Sequence, residues 1–183
     1  PHLFSSAASD VYKRQTNNNP KVGIAPFARH IGKVYPLDLM QKIIAYLSQN
    51  NQVFLFGFGD ELKILEKWKS SYKNVDCPSS NSNFKQEIEL ISNLDLMISM
   101  DSANGHIASI YNVPVITIWG LTHPFTGFST FNSVEENQFT VDRTKFPLIP
   151  TSIYGNKKIK GYEDAMRSIA VSYTHLTLPT RRG

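Results

Sequence analysis

The sequence predicts an α/β protein built on a doubly wound parallel sheet, and two observations carry this prediction. Short apolar runs of strand length alternate four times with segments whose apolar residues recur at helical spacing. The run Val113–Trp119 is continuously apolar, which is typical of a strand buried on both faces of a parallel sheet. We therefore expect a Rossmann-like arrangement, with helices on both faces of the sheet.

The first strand and helix are predicted near the amino end of the readable chain. Lys21–Phe27 is a short apolar run, and its proline falls near the exit, where a strand tolerates one. A polar loop then leads to Pro36, a residue suited to the first turn of a helix. Apolar residues recur at helical spacing from there to Leu47, so this segment is predicted to be the first β-α unit.

The second unit contains an incomplete dinucleotide-binding pattern. Gln52–Gly57 is the next predicted strand, and a helix opens at Asp60. Two glycines of the usual fingerprint are present in the segment Gly57–Leu62, but Leu62 stands where the third glycine belongs. This departure opposes an NAD-dependent oxidoreductase. A third helix is predicted after a turn-rich stretch, with Asn83 as its cap.

The most informative stretch is a strand, a sharp turn and a helix N-terminus. Leu94–Met100 has strand length, and Asp101 and Ser102 are residue types that favour helix caps. Such a junction offers free backbone N–H groups and a helix dipole at the carboxyl edge of a sheet, which suits a phosphate. The side chains of Asp101 and His106 would reach the same phosphate position at the carboxyl edge of the sheet. Spacing alone leaves open the alternative that Asp101 only caps the helix and His106 is a core residue.

Composition narrows the class of protein. The chain has 183 residues, 41% hydrophobic and 19% charged, and no apolar run is long enough to span a membrane. Its single cysteine, Cys77, excludes an internal disulfide framework and offers no metal cluster. We therefore expect a globular protein of the reducing cytoplasm, with no metal.

Both chain ends are predicted to be adapter-derived artefacts. A DNA segment that encodes Asp10–Gln15 encodes Val171–His175 when its reverse complement is read in another frame, and it resembles the transposon end of sequencing-library adapters. We therefore exclude residues 1–15 and 171–183 and expect one domain over residues 16–170, truncated at both ends. The remainder holds 15 basic and 14 acidic residues, so its charge falls from +4 to +1, which removes the case for a nucleic-acid partner.

The central turn also carries a family resemblance. Asp101-Ser102-Ala103-Asn104-Gly105-His106-Ile107-Ala108 resembles the Asp-(Ser/Thr)-(Gly/Ala)-x-x-His-(Ile/Leu)-Ala signature of glycosyltransferase family 9, the heptosyltransferase-like enzymes. In that family this turn holds the diphosphate of a nucleotide-sugar donor. The resemblance therefore implies donor-binding roles for five residues of the turn: Asp101, Ser102, Ala103, Asn104 and His106.

Flanking segments extend the resemblance in the same order along the chain. Gly23–Ala28 with Lys33–Pro36 is similar to the family's opening of the donor domain, where a lysine contacts donor phosphate, and this places that role on Lys33. A solvated loop lysine is the alternative, and Arg29 and His30 are weaker candidates for the same contact. A lysine suits a pyrophosphate because its ammonium is a compact positive charge.

Three further candidate donor contacts follow from the resemblance. A family glutamate that hydrogen-bonds the donor ribose corresponds to Glu61, which a helix dipole alone would also favour at its position. The segment Gly120–Phe128 resembles the family's Gly-x-Thr-x-Pro loop, and it makes Thr122 and His123 candidate contacts. His123 has the alternative of a surface loop residue.

The resemblance implies one half of a GT-B fold, with residues 16–170 as the nucleotide-sugar-binding domain. The implied activity is inverting transfer of heptose from an ADP-heptose-type donor to a lipopolysaccharide-type acceptor, without an essential metal or other cofactor. The catalytic base is expected in an acceptor-binding domain outside this chain, so no catalytic residue is assigned here. Peripheral membrane association through that domain is left open. The alternative is a non-catalytic nucleotide-binding fragment.

Overall fold

A parallel sheet forms the centre of the protein in the computed structural model, which describes residues 19–157, 159–171 and 176. Its strands are β1 (Lys21–Ala25), β2 (Gln52–Leu55), β3 (Val75–Asp76), β4 (Leu96–Met100), β5 (Val115–Ile118) and β6 (Gln138–Phe139). The α-helices in these residues are α1 (Leu37–Leu47), α2 (Glu61–Ser71), α3 (Phe84–Ile91), α4 (Ala103–Ile110) and α5 (Tyr162–Arg167).

The strand order determines where a ligand can bind. The strands lie in the order β3-β2-β1-β4-β5-β6, and every neighbouring pair is parallel. Ile24 of β1 is in register with Leu55 of β2 on one side and with Ile98 of β4 on the other. The chain therefore proceeds outward from β1 in one direction and from β4 in the other. In sheets of this kind the crevice between those two strands, at their carboxyl ends, is the usual ligand site.

Both faces of the sheet are covered, as the doubly wound prediction requires. Alternate strand residues such as Ile24 and Ile98 pack with buried side chains of α1, α2 and α5. The residues between them, such as Met97 and Phe54, pack with α3 and α4 on the opposite face. Successive strand side chains point to opposite faces, so continuously apolar strands are the expected sequence for this architecture.

The element boundaries largely follow the local signals. Asn83 caps α3 as predicted, in a reciprocal pair of hydrogen bonds with Gln86. The strand predicted from Leu94 begins at Leu96, because Leu94 still belongs to the turn that closes α3. Leu94 is nevertheless buried, and its side chain fills the space beside Gly23 of β1.

The predicted adapter-derived ends lie mostly outside the residues that the structure describes. Residues 1–15 lie outside the described residues, and of residues 171–183 only Val171 and Leu176 are described. Both side chains pack against the apolar cluster that faces α1, α2 and α5.

Within the described part of the chain, no helix has the length and apolar character needed to cross a bilayer.

Candidate functional site

A buried ion pair lies at the point where the strand order reverses. Lys33 ends a one-turn 3₁₀ helix (Ile31–Lys33) that follows β1, and Asp101 comes directly after β4. Lys33 Nζ lies 2.6 Å from Asp101 Oδ2, and the two side chains are only 12% and 5% exposed. The topology thus brings together two of the residues that the sequence indicated separately. A buried charge needs an opposite charge beside it, which each of these residues provides for the other.

The loop that follows β5 supports the Lys33 loop through backbone contact. Leu121 N–H donates a hydrogen bond of 2.7 Å to the carbonyl oxygen of Gly32. A Cβ atom on Gly120 would lie 2.2 Å from that same oxygen and 3.0 Å from Lys33 Cα. Glycine is therefore required at position 120 for these two loops to approach each other, a role that sequence reasoning missed.

Gly155 and Phe128 lie beside the Lys33 side chain. A Cβ atom on Gly155, whose φ is +64°, would lie 2.9 Å from Lys33 Cγ and 3.0 Å from Thr122 Cγ2. The Phe128 ring centroid is 5.8 Å from Lys33 Nζ, and Tyr154 packs on Phe128 with 6.0 Å between ring centroids. Sequence reasoning missed these supporting roles. Two signals were available: Phe128 ends the loop that resembles the family segment, and residues 152–157 resemble a late segment of some family members.

The N-terminus of α4 lies beside the ion pair and carries no side-chain cap. Ser102 occupies the cap position, but its side chain makes no capping hydrogen bond. Its Oγ lies 2.9 Å from Ser99 Oγ, which donates to the Met100 carbonyl oxygen at 2.6 Å. Within the described part of the chain, the first-turn N–H groups of α4, including those of Ala103 and Asn104, have no side-chain acceptor, and the helix dipole adds partial positive charge there. This is the arrangement that binds anions.

The residues of the turn Asp101–Ala108 differ in their exposure to solvent. Ala103 is exposed and Asn104 is half-buried in the first turn of α4. His106 is also half-buried and lies one turn into the helix. Asp101 pairs with Lys33, and the cap position of α4 is held by Ser102. A donor contact by Asp101 or His106 stays a prediction.

Glu61 lies at the same edge of the sheet, in the neighbouring loop. It is the first residue of α2 and follows β2, the strand next to β1. Its Oε2 accepts a hydrogen bond of 2.8 Å from Phe58 N–H. Among the described residues, no hydrogen bond or ion pair joins Glu61 to Lys33 or Asp101. The structure therefore places Glu61 near the crevice without bringing it into the ion-pair cluster.

Thr122 and His123 occupy the loop after β5 in different ways. Thr122 is fully buried, and its Oγ1 has no hydrogen-bond partner among the described residues. His123 Nδ1 accepts a hydrogen bond of 3.3 Å from Phe125 N–H and so caps a 3₁₀ helix, Pro124–Thr126. Burial, with a smaller contribution from the charge of Arg143, lowers the pKa of His123, which favours the neutral ring that this cap requires.

Among the described residues, no side-chain hydrogen bond or ion pair joins the weaker candidates, Arg29 and His30, to Lys33 or Asp101. Arg29 is exposed, and His30 is half-buried and makes no side-chain cap for the 3₁₀ helix that follows it. In the part of the chain that the structure describes, no group of three or more His, Cys, Asp and Glu side chains is arranged to hold a metal ion. The positive groups at the crevice are therefore the Lys33 ammonium and the N-terminus of α4.

Comparisons with known proteins identify relatives of this chain. The family model of glycosyltransferase family 9 (heptosyltransferase) matches residues 3–147. Lipopolysaccharide heptosyltransferase 3 of Escherichia coli (strain K12) is 29% identical over 129 residues, which make up 64% of this chain and 38% of that protein.

Two solved structures share the fold. A glycosyl transferase family 9 protein from Veillonella parvula DSM 2008 has a TM-score of 0.61 and 15% identity, over 88% of this chain and 49% of that one. E. coli heptosyltransferase WaaC with ADP-2-deoxy-2-fluoro heptose has a TM-score of 0.54 and 13% identity, over 87% and 45% of the two chains. This chain therefore spans less than half the length of each of these relatives.

These likenesses confirm the predicted α/β fold, one half of a GT-B arrangement. The family match covers most of the chain, including β1 to β6 and the turn Asp101–Ala108. It follows that the chain belongs to glycosyltransferase family 9, the heptosyltransferase family.

Proposed function

We propose that this domain binds the nucleotide diphosphate of a sugar donor, and that the protein it belongs to transfers heptose from ADP-heptose to a lipopolysaccharide-type acceptor with inversion. The name of the E. coli K12 relative and the heptose ligand of the E. coli structure support this donor and acceptor. We propose that the donor diphosphate binds in the crevice between β1 and β4.

The observation that carries this proposal is the Lys33–Asp101 pair beside the uncapped N-terminus of α4. A lysine ammonium has three N–H donors, so Asp101 can hold one of them and orient the group while the others face a phosphate. Negative charge grows on the diphosphate as the glycosidic bond breaks. Donors that are already in place stabilise that charge without having to reorganise.

Six other residues complete the proposed donor site. Glu61, at the carboxyl end of the neighbouring strand, is proposed to accept hydrogen bonds from the ribose hydroxyls, which requires it to release Phe58 N–H. Thr122 carries a buried hydroxyl without a partner in the described residues, and a donor oxygen would satisfy it. Ser102, Ala103, Asn104 and His106 are proposed to line the diphosphate through the first turn of α4.

The acceptor site and catalytic base are proposed to lie in the part of the family's length that this chain does not match. On this view the chain alone binds donor nucleotide but does not transfer sugar. The alternative, a non-catalytic nucleotide-binding fragment, predicts the same binding. Sugar transfer measured with the purified chain alone would contradict both.

Calorimetric titration of the full 183-residue chain with ADP, UDP, GDP and NAD tests the donor site. We expect diphosphate nucleotides to bind with a preference for ADP, and Lys33→Ala and Asp101→Ala to weaken binding at least tenfold. Lys67→Ala is the matched control, because it removes the same charge from an exposed position in the second half of α2. Equal binding by the parent and Lys33→Ala, or no binding by the folded parent chain, would overturn the proposal.

A further inference from the structure

A cavity lies at the amino ends of β4 and β5, at the opposite end of these strands from the ion pair. Its walls include Leu96 and Val115, the first residues of β4 and β5, and its volume is about 450 Å³. Lys33 and Asp101 lie at the carboxyl ends of the strands, so the end of the cavity at Leu96 is separated from them by the length of β4, roughly 15 Å. The volume is in the range of small-molecule sites.

The cavity is formed between the end of α4 and the segment that leads to β6. Ser109 of α4 is buried, and its hydroxyl donates to the Phe131 carbonyl oxygen, which ties the two walls together. Thr130 lies against the same helix, since its methyl group would contact a Cβ atom on Gly105 at 3.5 Å. The walls are thus held by contacts within the fold and do not depend on a ligand.

The chemistry of the lining indicates an uncharged ligand. None of the residues around the cavity is ionisable, and the polar ones carry amides or hydroxyls: Ser109, Asn112, Thr130, Asn132, Ser133 and Asn137. The adjoining 3₁₀ helix begins with Glu135 and Glu136, both exposed, which disfavours an approaching anion. A phosphate or a nucleotide is therefore a poor fit, whereas a molecule rich in neutral hydroxyl groups can pair with these donors and acceptors.

Two observations point to an absent polar partner with an apolar face. Thr130 is only 7% exposed, and its Oγ1 has no hydrogen-bond partner among the described residues. A buried hydroxyl without a partner carries a free-energy cost. Because this oxygen is itself buried, a bound hydroxyl would remove that cost only after the Thr130 side chain turns toward the cavity. At the rim, the Phe131 side chain is 70% exposed, which leaves an aromatic ring free to pack on the apolar face of a ligand.

We propose that this cavity binds a neutral sugar unit, with hydroxyl groups paired to Thr130 and the surrounding amides and with one sugar face on Phe131. One wall of this site adjoins the proposed donor site, because Thr130 lies against Gly105 of the turn Asp101–Ala108, but sugar binding does not require a bound donor. A sugar unit within a glycan and a free monosaccharide share this chemistry, so the test includes both.

Titration of the full chain by ¹H–¹⁵N NMR tests the site. Methyl α-D-mannopyranoside and methyl β-D-glucopyranoside represent a unit within a glycan, D-mannose represents a free sugar, and mannose 6-phosphate is the charged control. We expect amide shifts in segments 109–116 and 130–137, saturating with a Kd in the millimolar range. The phosphorylated sugar should bind at least fivefold more weakly because of Glu135 and Glu136. Tighter binding of methyl glycosides than of D-mannose would identify a glycan as the source, and the reverse order a free sugar.

Matched variants separate the site from a purely structural role. Thr130→Val keeps the shape and removes the hydroxyl, so it should bind sugar fivefold to tenfold more weakly while unfolding at the same or a higher urea concentration. Phe131→Ala should also weaken binding, whereas Phe84→Ala, which removes an equally exposed ring from α3, should not. Absence of shifts in these segments at tens of millimolar sugar, or unchanged binding by Thr130→Val, would overturn the proposal. ADP binding at the other edge of the sheet is independent of either result.

Discussion

Lys33 Nζ and Asp101 Oδ2 lie 2.6 Å apart across the junction of β1 and β4, with both side chains almost completely buried. The two residues are far apart in the chain and meet because β1 and β4 are neighbours in the sheet. Their charges compensate each other inside the crevice, so loss of one partner leaves the other buried and unpaired. The predictions below follow from this pair and from the loops that hold it.

Asp101→Asn should destabilise the protein by about 3 kcal/mol, because it leaves the Lys33 ammonium in a buried place without its counter-charge. Urea unfolding followed by circular dichroism measures the loss. Combining it with Lys33→Met should recover at least half of the stability, since the unpaired charge is then removed. Asp60→Asn is the control, because the Asp60–Lys63 pair is exposed and contributes little. A double variant no more stable than Asp101→Asn would contradict this account.

Gly120→Ala should cost more stability than Gly57→Ala. At Gly120 the new methyl would meet the carbonyl oxygen of Gly32 at 2.2 Å, and backbone cannot move aside cheaply. At Gly57 it would meet the end of the Leu65 side chain at 2.7 Å, which can rotate away. We expect a loss of about 3 kcal/mol for the first and about 1 kcal/mol for the second in urea unfolding. Equal losses would show that the contact between the Gly32 and Gly120 loops is not tight.

The protein should become less stable as the pH falls below about 6.5, because His123 becomes protonated in this range. Burial, and then the charge of Arg143, lower the pKa of His123 in the folded state, so the unfolded chain binds the proton more readily. The stabilisation is therefore complete above the unfolded pKa and is lost as the pH falls toward the folded value. His123→Asn preserves an acceptor for Phe125 N–H and should flatten the profile in this window. An unchanged profile in that variant would assign the pH dependence to other groups.

Asn83→Ala should destabilise the protein by about 1 kcal/mol, because Asn83 takes part in two capping hydrogen bonds at the start of α3. Ser102→Ala should cost clearly less, although Ser102 occupies the same position on α4, because its side chain caps no helix N–H group. Both values come from urea unfolding of single variants. If Ser102→Ala costs as much as Asn83→Ala, the N-terminus of α4 is not free to receive an anion.

Much of the fold was predictable because its signals are local. Apolar periodicity marks β1, α1 and β5 within windows of a few residues, and Asn83 caps α3 as its residue type predicts. The placement of Asp101 at the carboxyl edge also follows from the sequence, because it comes directly after a buried parallel strand. The family motifs then predicted which loops would contact a donor.

The sequence by itself therefore determined the alternation of strands and helices from β1 to β5 along the chain and the loops that carry the candidate residues. Only the tertiary structure decided that Asp101 pairs with Lys33 and does not cap α4, that Gly120 must lack a side chain, and that Thr130 borders a second cavity. The physical reason is the range of the interactions. Periodicity and capping act over a few residues, whereas burial of a charge and close contact between loops depend on which distant segments become neighbours in the sheet.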